Sequence, residues 1–466
     1  MKIISSIADK HRAEPFRIKV VEPIKMTTLA QRDKILKKAC YNIFMIRSED
    51  VFIDLLTDSG TSAMSDNQWA GMMLGDESYA MCRNYFSLKS VVKNLFGFDK
   101  FVPTHQGRAA EHILFSCTVD KTKVIPNNMH FDTTRANIED RGGLALNLIN
   151  DDAFDTQKIK PFKGNMDIEK LEAAIKKHGV GNIPLVMLTI TNNSGGGQPV
   201  SMSNIRQVSR VAHRHGIPFF LDACRFAENA YFIKTREPGY ANKDIRAIVR
   251  EMFSYSDGFT MSAKKDGIVN IGGLLAVRDD RLFTRIKERL IINEGFITYG
   301  GLAGRDLEAL ARGFMEATEY EYLKYRVGQV KYLGDCLMAK GIPIIRPTGG
   351  HAIYLDAKGI FPGMHQKLFP AQALTVELYR EAGIRAVEIG SVMFASKDRK
   401  TGVVKYPELD LVRLAIPRRV YTDNHMNVVA DAAGQIMKRR NKIKGYRITW
   451  EPPTLRHFTA KFAPVK

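Results

Sequence analysis

Three continuous apolar runs, at residues 183–191, 218–222 and 258–261, constrain the fold most. Helical periodicity separates them, over residues 203–215 and again over 244–255. A strand that is apolar on both sides must be covered on both faces. Alternation of such strands with helices therefore predicts an α/β domain with a mostly parallel sheet. Ligands in such sheets sit beyond the carboxyl ends of the strands. Each run here ends on polar groups: Asn192-Asn193-Ser194, then Asp222, then Ser262-Ala263-Lys264-Lys265-Asp266. One cleft could hold all three. A further apolar run, residues 271–277, follows the lysine pair as a strand.

The flanking segments read less regularly. Glu14-Pro15-Phe16-Arg17 suggests an extended arm, residues 31–40 a short helix, and 50–56 an alternating strand. Thr57-Asp58-Ser59-Gly60-Thr61 is a turn dense in hydroxyls, and Gly75-Asp76-Glu77-Ser78-Tyr79 could offer a carboxylate to a cation. Residues 144–149 read as a strand and 168–178 as a helix. After Gly300–Gly304 a long helical stretch, 306–338, reads as a connector. Strands at 342–345, 352–355 and 411–416 then mix with helices at 371–382 and 426–439, as in an α+β domain. The expected division is an N-terminal arm and part of a small domain over 1–60, a large domain over 61–320, and a small C-terminal domain over 321–466.

Composition excludes several classes. A content of 45% apolar and 26% charged residues is that of a globular protein. Five scattered cysteines without a CxxC pair argue for reduced thiols and against a disulfide or zinc framework. No apolar run approaches membrane-spanning length, and Met1–Ala8 is too short for a secretory signal. A soluble, cytoplasmic protein with no membrane partner is expected. The net charge of +19 would suit nucleic acid, and nine Lys or Arg lie from Lys438 onward against one acid, Glu451. No aromatic-interleaved motif accompanies them, so nucleic acid is not an expected partner.

The chemistry centres on Lys264-Lys265. A lysine pair between two strands is ordinarily a solvated turn. In an apolar site beside other cations, however, an amine loses its proton more readily and becomes a nucleophile. Pyridoxal 5′-phosphate (PLP) needs such a lysine for covalent attachment, and an acid to keep its ring nitrogen protonated. Lys265 and Asp222 fit those roles. Pro103-Thr104-His105-Gln106-Gly107-Arg108 opens a helix, and a Gly-containing turn with a cation there is a phosphate seat.

Longer stretches carry a resemblance: Ile53–Thr61, Pro103–Arg108, Gly196–Ser201, Arg225–Lys234, Met261–Asp266, Tyr299–Asp306 and Ile416–Thr422. Together they resemble the β-eliminating lyases, members of the fold-type I PLP-dependent transferase-like superfamily, over nearly the whole chain. The resemblance implies a large domain with a mostly parallel sheet plus a smaller α+β domain. It implies that Lys265 bonds the cofactor and later takes the α-proton of an amino-acid substrate. Gln106, Gly107, Arg108 and Ser262 would hold the phosphate, with Lys264 nearby. Phe131 would stack on the ring, Asp222 bind its nitrogen, and Asn193 and Arg225 its phenolic oxygen. Arg413 would take the substrate carboxylate, assisted by Ser59, and Tyr79 would help protonate the leaving ring. Glu77 with the carbonyls of Gly60 and Asn270 would hold a monovalent cation, normally potassium. Tyr299 would lie near a neighbouring subunit's cofactor or its cation in a homotetramer.

Three positions bear on the leaving group. Members that release phenol resemble this chain but place Thr at Asp132, Arg at Ile389 and Phe at His457. Here Ile389 offers an apolar wall, suited to indole, and Asp132 can accept an indole N–H. The resemblance thus points to L-tryptophan, cleaved to indole, pyruvate and ammonia, with L-tyrosine as the alternative. The chain departs from the family at Asn137, where a histidine is usual, at Ala109, where glycine is usual, and at Ala80-Met81-Cys82. These departures bear on rate and preference more than on reaction class.

Overall fold

The computed structural model describes residues 13–398 and 401–465. Met1–Ala8, read above as too short for a secretory signal, lies outside them. The chain forms two compact units.

One unit comprises Ser59–Ala153 and Lys160–Val327. Its five-stranded sheet has the order Phe101–Thr104, Gly273–Val277, Gly258–Ser262, Phe219–Asp222, Val186–Thr189. Within it Gly273–Val277 runs against the other four. The sheet is mostly parallel, as the apolar runs predict, and every residue of these strands is buried. Helices Met202–Arg214 and Ile245–Ser254 supply the crossovers between the parallel strands. Ile245, Ile248, Val249 and Met252 recur at helical spacing and are buried. Ser201 and Asp244 cap these helices through their side-chain oxygens. Phe96 lies at the centre of the core, its ring 4.6–5.5 Å from those of Phe226, Phe253, Phe259 and Phe314. Val124–Asn127 and Leu144–Asn147 form a separate parallel pair.

The other unit comprises the described residues up to Asp58, Phe154–Ile159, and the described residues from Gly328 on. A three-stranded antiparallel sheet orders Val387–Ile389, Leu411–Ala415, Ala352–Asp356. Helices Pro370–Ala382 and Asp423–Lys438 bury Leu374, Leu378, Met426 and Val429 in one apolar cluster with Ile353, Leu355 and Leu414. Ile53–Asp54 pairs in parallel with Ile384–Arg385. A hairpin, Tyr446–Trp450 with Lys461–Pro464, closes the described chain.

Three elements differ from expectation. The connector is two helices, Gly304–Ala317 and Tyr320–Ala339, because Thr318 ends the first. Thr318 Oγ1 donates to Met315 O at 2.8 Å, and a side chain that bonds the preceding turn competes with helix continuation. Residues 342–345 make a single bridge, Ile344 to Leu355, where a strand was expected. Pro343 has no N–H and Pro347 follows, so the ladder cannot extend. Residues 50–56 pair over Ile53–Asp54 alone.

Candidate active site

The expected phosphate seat falls where the strand Phe101–Thr104 turns into the helix Gly107–Thr118. Thr104 Oγ1 donates to Gln106 O at 2.9 Å and tightens that turn. Gln106 makes no side-chain cap, so the first amides of the helix are free to meet an anion. Gly107 lies against Ser262: a Cβ at Gly107 would stand 2.5 Å from Ser262 Cβ. Glycine is therefore what lets this helix start approach the end of the Gly258–Ser262 strand. Burial lowers the Lys264 pKa, and the charges of Lys265 and Arg108 lower it further. Arg108, Lys264 and Lys265 thus form a cationic cluster. None of the three has a carboxylate partner within ion-pair distance among the described residues.

Asp222 ends its strand beside this cluster and is buried. Its Oδ2 accepts from Thr189 Oγ1 and its Oδ1 from Cys224 Sγ, both at 3.3 Å. These are weak donors, and burial holds the carboxyl above the usual carboxylate range. Cys224 Sγ also accepts the Ser262 amide at 3.3 Å. Asp266, next to Lys265, accepts the Ala227 and Glu228 amides at 2.8 and 3.2 Å. These bonds tie the segment after Asp222 to the turn that carries Lys265. Cys224 and Asp266 thus fasten two of the three strand ends together.

Sequence reasoning missed a second buried acid. Glu111, one turn beyond Arg108, accepts from Thr134 Oγ1 at 2.7 Å, and its other oxygen has no hydrogen-bond partner. Burial, then the Asp222 charge, pushes Glu111 up to about 7. Its signal in the sequence was an acid amid the apolar periodicity of residues 109–117.

Phe131 precedes the helix Asp132–Asp140, and Asp132 opens it, where an acid suits the helix dipole. Asp132 Oδ1 accepts the Thr133 amide at 2.6 Å. Asn193 and Arg225 are buried just past the strands Val186–Thr189 and Phe219–Asp222. Asn137 Nδ2 donates to Thr133 O at 3.0 Å and so braces the start of that helix. Tyr79 is exposed, its ring 5.1 Å from Tyr299 and 6.0 Å from Phe296. The suggested cation ligands are only partly brought together. Asn270 Nδ2 donates to Gly60 O at 3.0 Å. Glu77 instead takes Arg305 Nε at 2.9 Å.

Ser59 lies in the same unit as Lys265, Asp222 and Arg108; Arg413, Ile389 and His457 lie in the other. Arg413 is buried in the strand Leu411–Ala415 and donates from Nη2 to Leu56 O at 3.1 Å. Ile389 is buried in a cluster with Ile345, Val387 and Leu411. His457 is buried, its ring 4.0 Å from Phe458 and 6.1 Å from Phe44.

PLP fits these residues. Three cations without a carboxylate partner would suit its phosphate dianion, and a buried carboxyl accepting two long hydrogen bonds would suit its ring nitrogen. Among known proteins, a profile described as Beta-eliminating lyase matches residues 54–432. Tyrosine phenol-lyase of Symbiobacterium thermophilum is 52% identical over 453 residues, 97% of this chain and 99% of that one. Tryptophanase of Salinibacter ruber is 52% identical over 451 residues, 97% of this chain and 95% of that one. Aspartate aminotransferase of Thermotoga maritima shares the fold-type I architecture, with a TM-score of 0.59 at 13% identity over 88% of this chain and 95% of that one. No helix among the described residues is long and apolar enough to cross a membrane. By profile and by relatives matched over nearly its full length, the chain belongs to the beta-eliminating lyase family, PLP-dependent enzymes that act on amino acids.

Proposed function

We propose that this lyase cleaves L-tryptophan with water to indole, pyruvate and ammonia. Ile389 carries the reading: it lies in an apolar cluster and has no hydrogen-bonding group to offer a phenolic oxygen. Asp132 supports it, as a carboxylate that can accept an indole N–H. A second reading is L-tyrosine, cleaved to phenol, pyruvate and ammonia, supported by the 52% identity to a relative named tyrosine phenol-lyase.

In this reading the Arg413 guanidinium pairs with the substrate carboxylate in two parallel bonds, with Ser59 beside it. The Lys265 amine removes the α-proton. The cofactor, when bound, accepts the electron pair left at Cα. Tyr79 delivers a proton to C3 of the indole while Asp132 holds N1, and the Cβ–C3 bond breaks. The three-carbon fragment then hydrolyses to pyruvate and ammonia. Gly60, Asn270 and Glu77 would hold potassium, with Glu77 leaving Arg305 to do so. A cytoplasmic homotetramer completes the reading.

The test is kcat/KM for L-tryptophan and L-tyrosine in potassium and in sodium salts. A buried polar group left unpaired costs about 1–3 kcal/mol. Tryptophan is therefore expected to lead by about tenfold or more, with activity higher in potassium. A preference for tyrosine hands the function to the second reading, and equal activity in both salts removes the cation.

A further inference from the structure

The short turn after Ile389 is gripped by two buried acids. Three successive amides at its start donate to carboxylates. Ser391 N donates to Asp410 Oδ1 at 3.2 Å, Val392 N to Glu388 Oε1 at 2.8 Å, and Met393 N to Glu388 Oε2 at 3.0 Å. Ser391 Oγ donates to Asp410 Oδ2 at 3.0 Å. Gly390 fits because a Cβ there would meet Asp410 Oδ1 at 1.9 Å. Glu388 and Asp410 are both buried, and neither forms an ion pair with a Lys, Arg or His among the described residues.

Two buried carboxyls that grip successive amides of one turn, with no cation paired to either, disfavour double ionisation, and one keeps a proton. Both oxygens of Glu388 already accept amides, so in the singly protonated pair the better place for the proton is Asp410 Oδ2, and the Ser391 hydroxyl, which donates to that oxygen when it is ionised, turns to accept it. Burial and the neighbouring Asp410 charge push Glu388 up to about 8, and burial raises Asp410 as well. The charged groups around the turn are few. Lys358 faces Asp410 and donates to Glu408 O at 2.9 Å. Arg456 holds the opposite, carbonyl side: its Nε donates to Val392 O at 2.6 Å and its Nη2 to Ser391 O at 2.8 Å. Glu451 pairs with Arg456 Nη1 at 3.0 Å.

The turn therefore begins one residue after Ile389, and its carbonyls are gripped one residue before His457. We propose that Glu388 and Asp410 are positioning residues for leaving-group selection, sharing one proton to fix the turn that sets Ile389 and, through Arg456, His457. The proposal rests on the reading that Ile389 and His457 face the leaving ring.

The test compares holoenzymes of the parent, Asp410→Asn and Asp410→Ala at pH 7 and pH 9. It reads the ratio of kcat/KM for L-tryptophan to that for S-ethyl-L-cysteine, whose leaving group has no ring to place. Asparagine copies the protonated acid, donating to Ser391 Oγ. Raising the pH removes the shared proton, and an asparagine cannot lose it. The parent ratio is expected to fall about fivefold or more from pH 7 to pH 9, while Asp410→Asn stays within about twofold of the parent's pH 7 value at both. Asp410→Ala is expected to show the low ratio at both pH values. Parallel profiles in parent and Asp410→Asn overturn the proposal, even if Asp410→Ala does not fold. If the parent cleaves S-ethyl-L-cysteine but no aromatic amino acid, the reading of Ile389 fails instead. The pair is then judged by thermal midpoints: a parent midpoint that falls from pH 7 to pH 9 relative to Asp410→Asn supports the shared proton, and parallel midpoints overturn it.

Discussion

Glu111 shows what one residue adds to a site. Its carboxyl sits fully buried near Asp222 and Lys265, with one oxygen bonded to Thr134 Oγ1 and the other without a partner. A carboxyl whose pKa is raised in the fold binds its proton more tightly there than in the unfolded chain. Its contribution is complete below the unfolded value, and stability falls as pH climbs from 4.5 to about 7. The loss across that window is about 3 kcal/mol for a shift of this size. Glu111→Gln cannot titrate, so urea unfolding of the variant should lack this fall between pH 4.5 and pH 7. A variant that follows the parent profile would show that Glu111 is ionised throughout. At this scale the sequence was legible where polar residues follow apolar runs, since the strands do end at Asp222 and just before Lys265. It was not legible at Glu111, because the hydroxyl that bonds its carboxyl comes from a separate helix, 23 residues on.

At the scale of elements, the helix Gly107–Thr118 is where periodicity and function meet. Its apolar face could be read in advance, since Ile113, Leu114 and Cys117 repeat at helical spacing and are buried. What could not be read was the partner of its first turn. Gly107 and Ser262 are far apart in sequence, yet a Cβ on one would collide with the other at 2.5 Å. Helix propensity favours Ala over Gly by about 1 kcal/mol in a helix interior. A loss in Gly107→Ala would therefore report the clash and not the helix. The apparent Kd for PLP, from absorbance titration of the apoenzyme, is expected to rise by about tenfold or more. An unchanged Kd would mean that the helix start stands clear of the cofactor. The same limit explains the misread segments. Residues 342–345 are apolar enough for a strand, but pairing depends on N–H groups, and Pro343 removes one.

At the scale of the whole molecule, the helix Asp66–Met73 is packed inside out. Its buried residues are Gln68 and Gly71. Gln68 Nε2 donates to Ile268 O at 3.0 Å and Ala309 O at 3.1 Å, which satisfies the amide in the interior. Trp69 and Met73, one helical turn apart, are 54% and 86% exposed, and Leu74 after them is 64% exposed. Single exposed apolar side chains are ordinary, but an apolar group on one short helix is a candidate association face. A second copy of the chain is the occupant that the family resemblance supplies. Net repulsion between chains of charge +19 opposes such contact, so apolar burial must outweigh it. Replacing Trp69 and Met73 with glutamate puts charge into that face without touching the Gln68 bonds. Sedimentation of the parent at micromolar concentration is expected to give the mass of four chains. The double variant is expected to sediment as a smaller species with unchanged circular dichroism. A parent that sediments as a single chain, or a double variant with the parent's mass, would leave this helix face without a role in assembly.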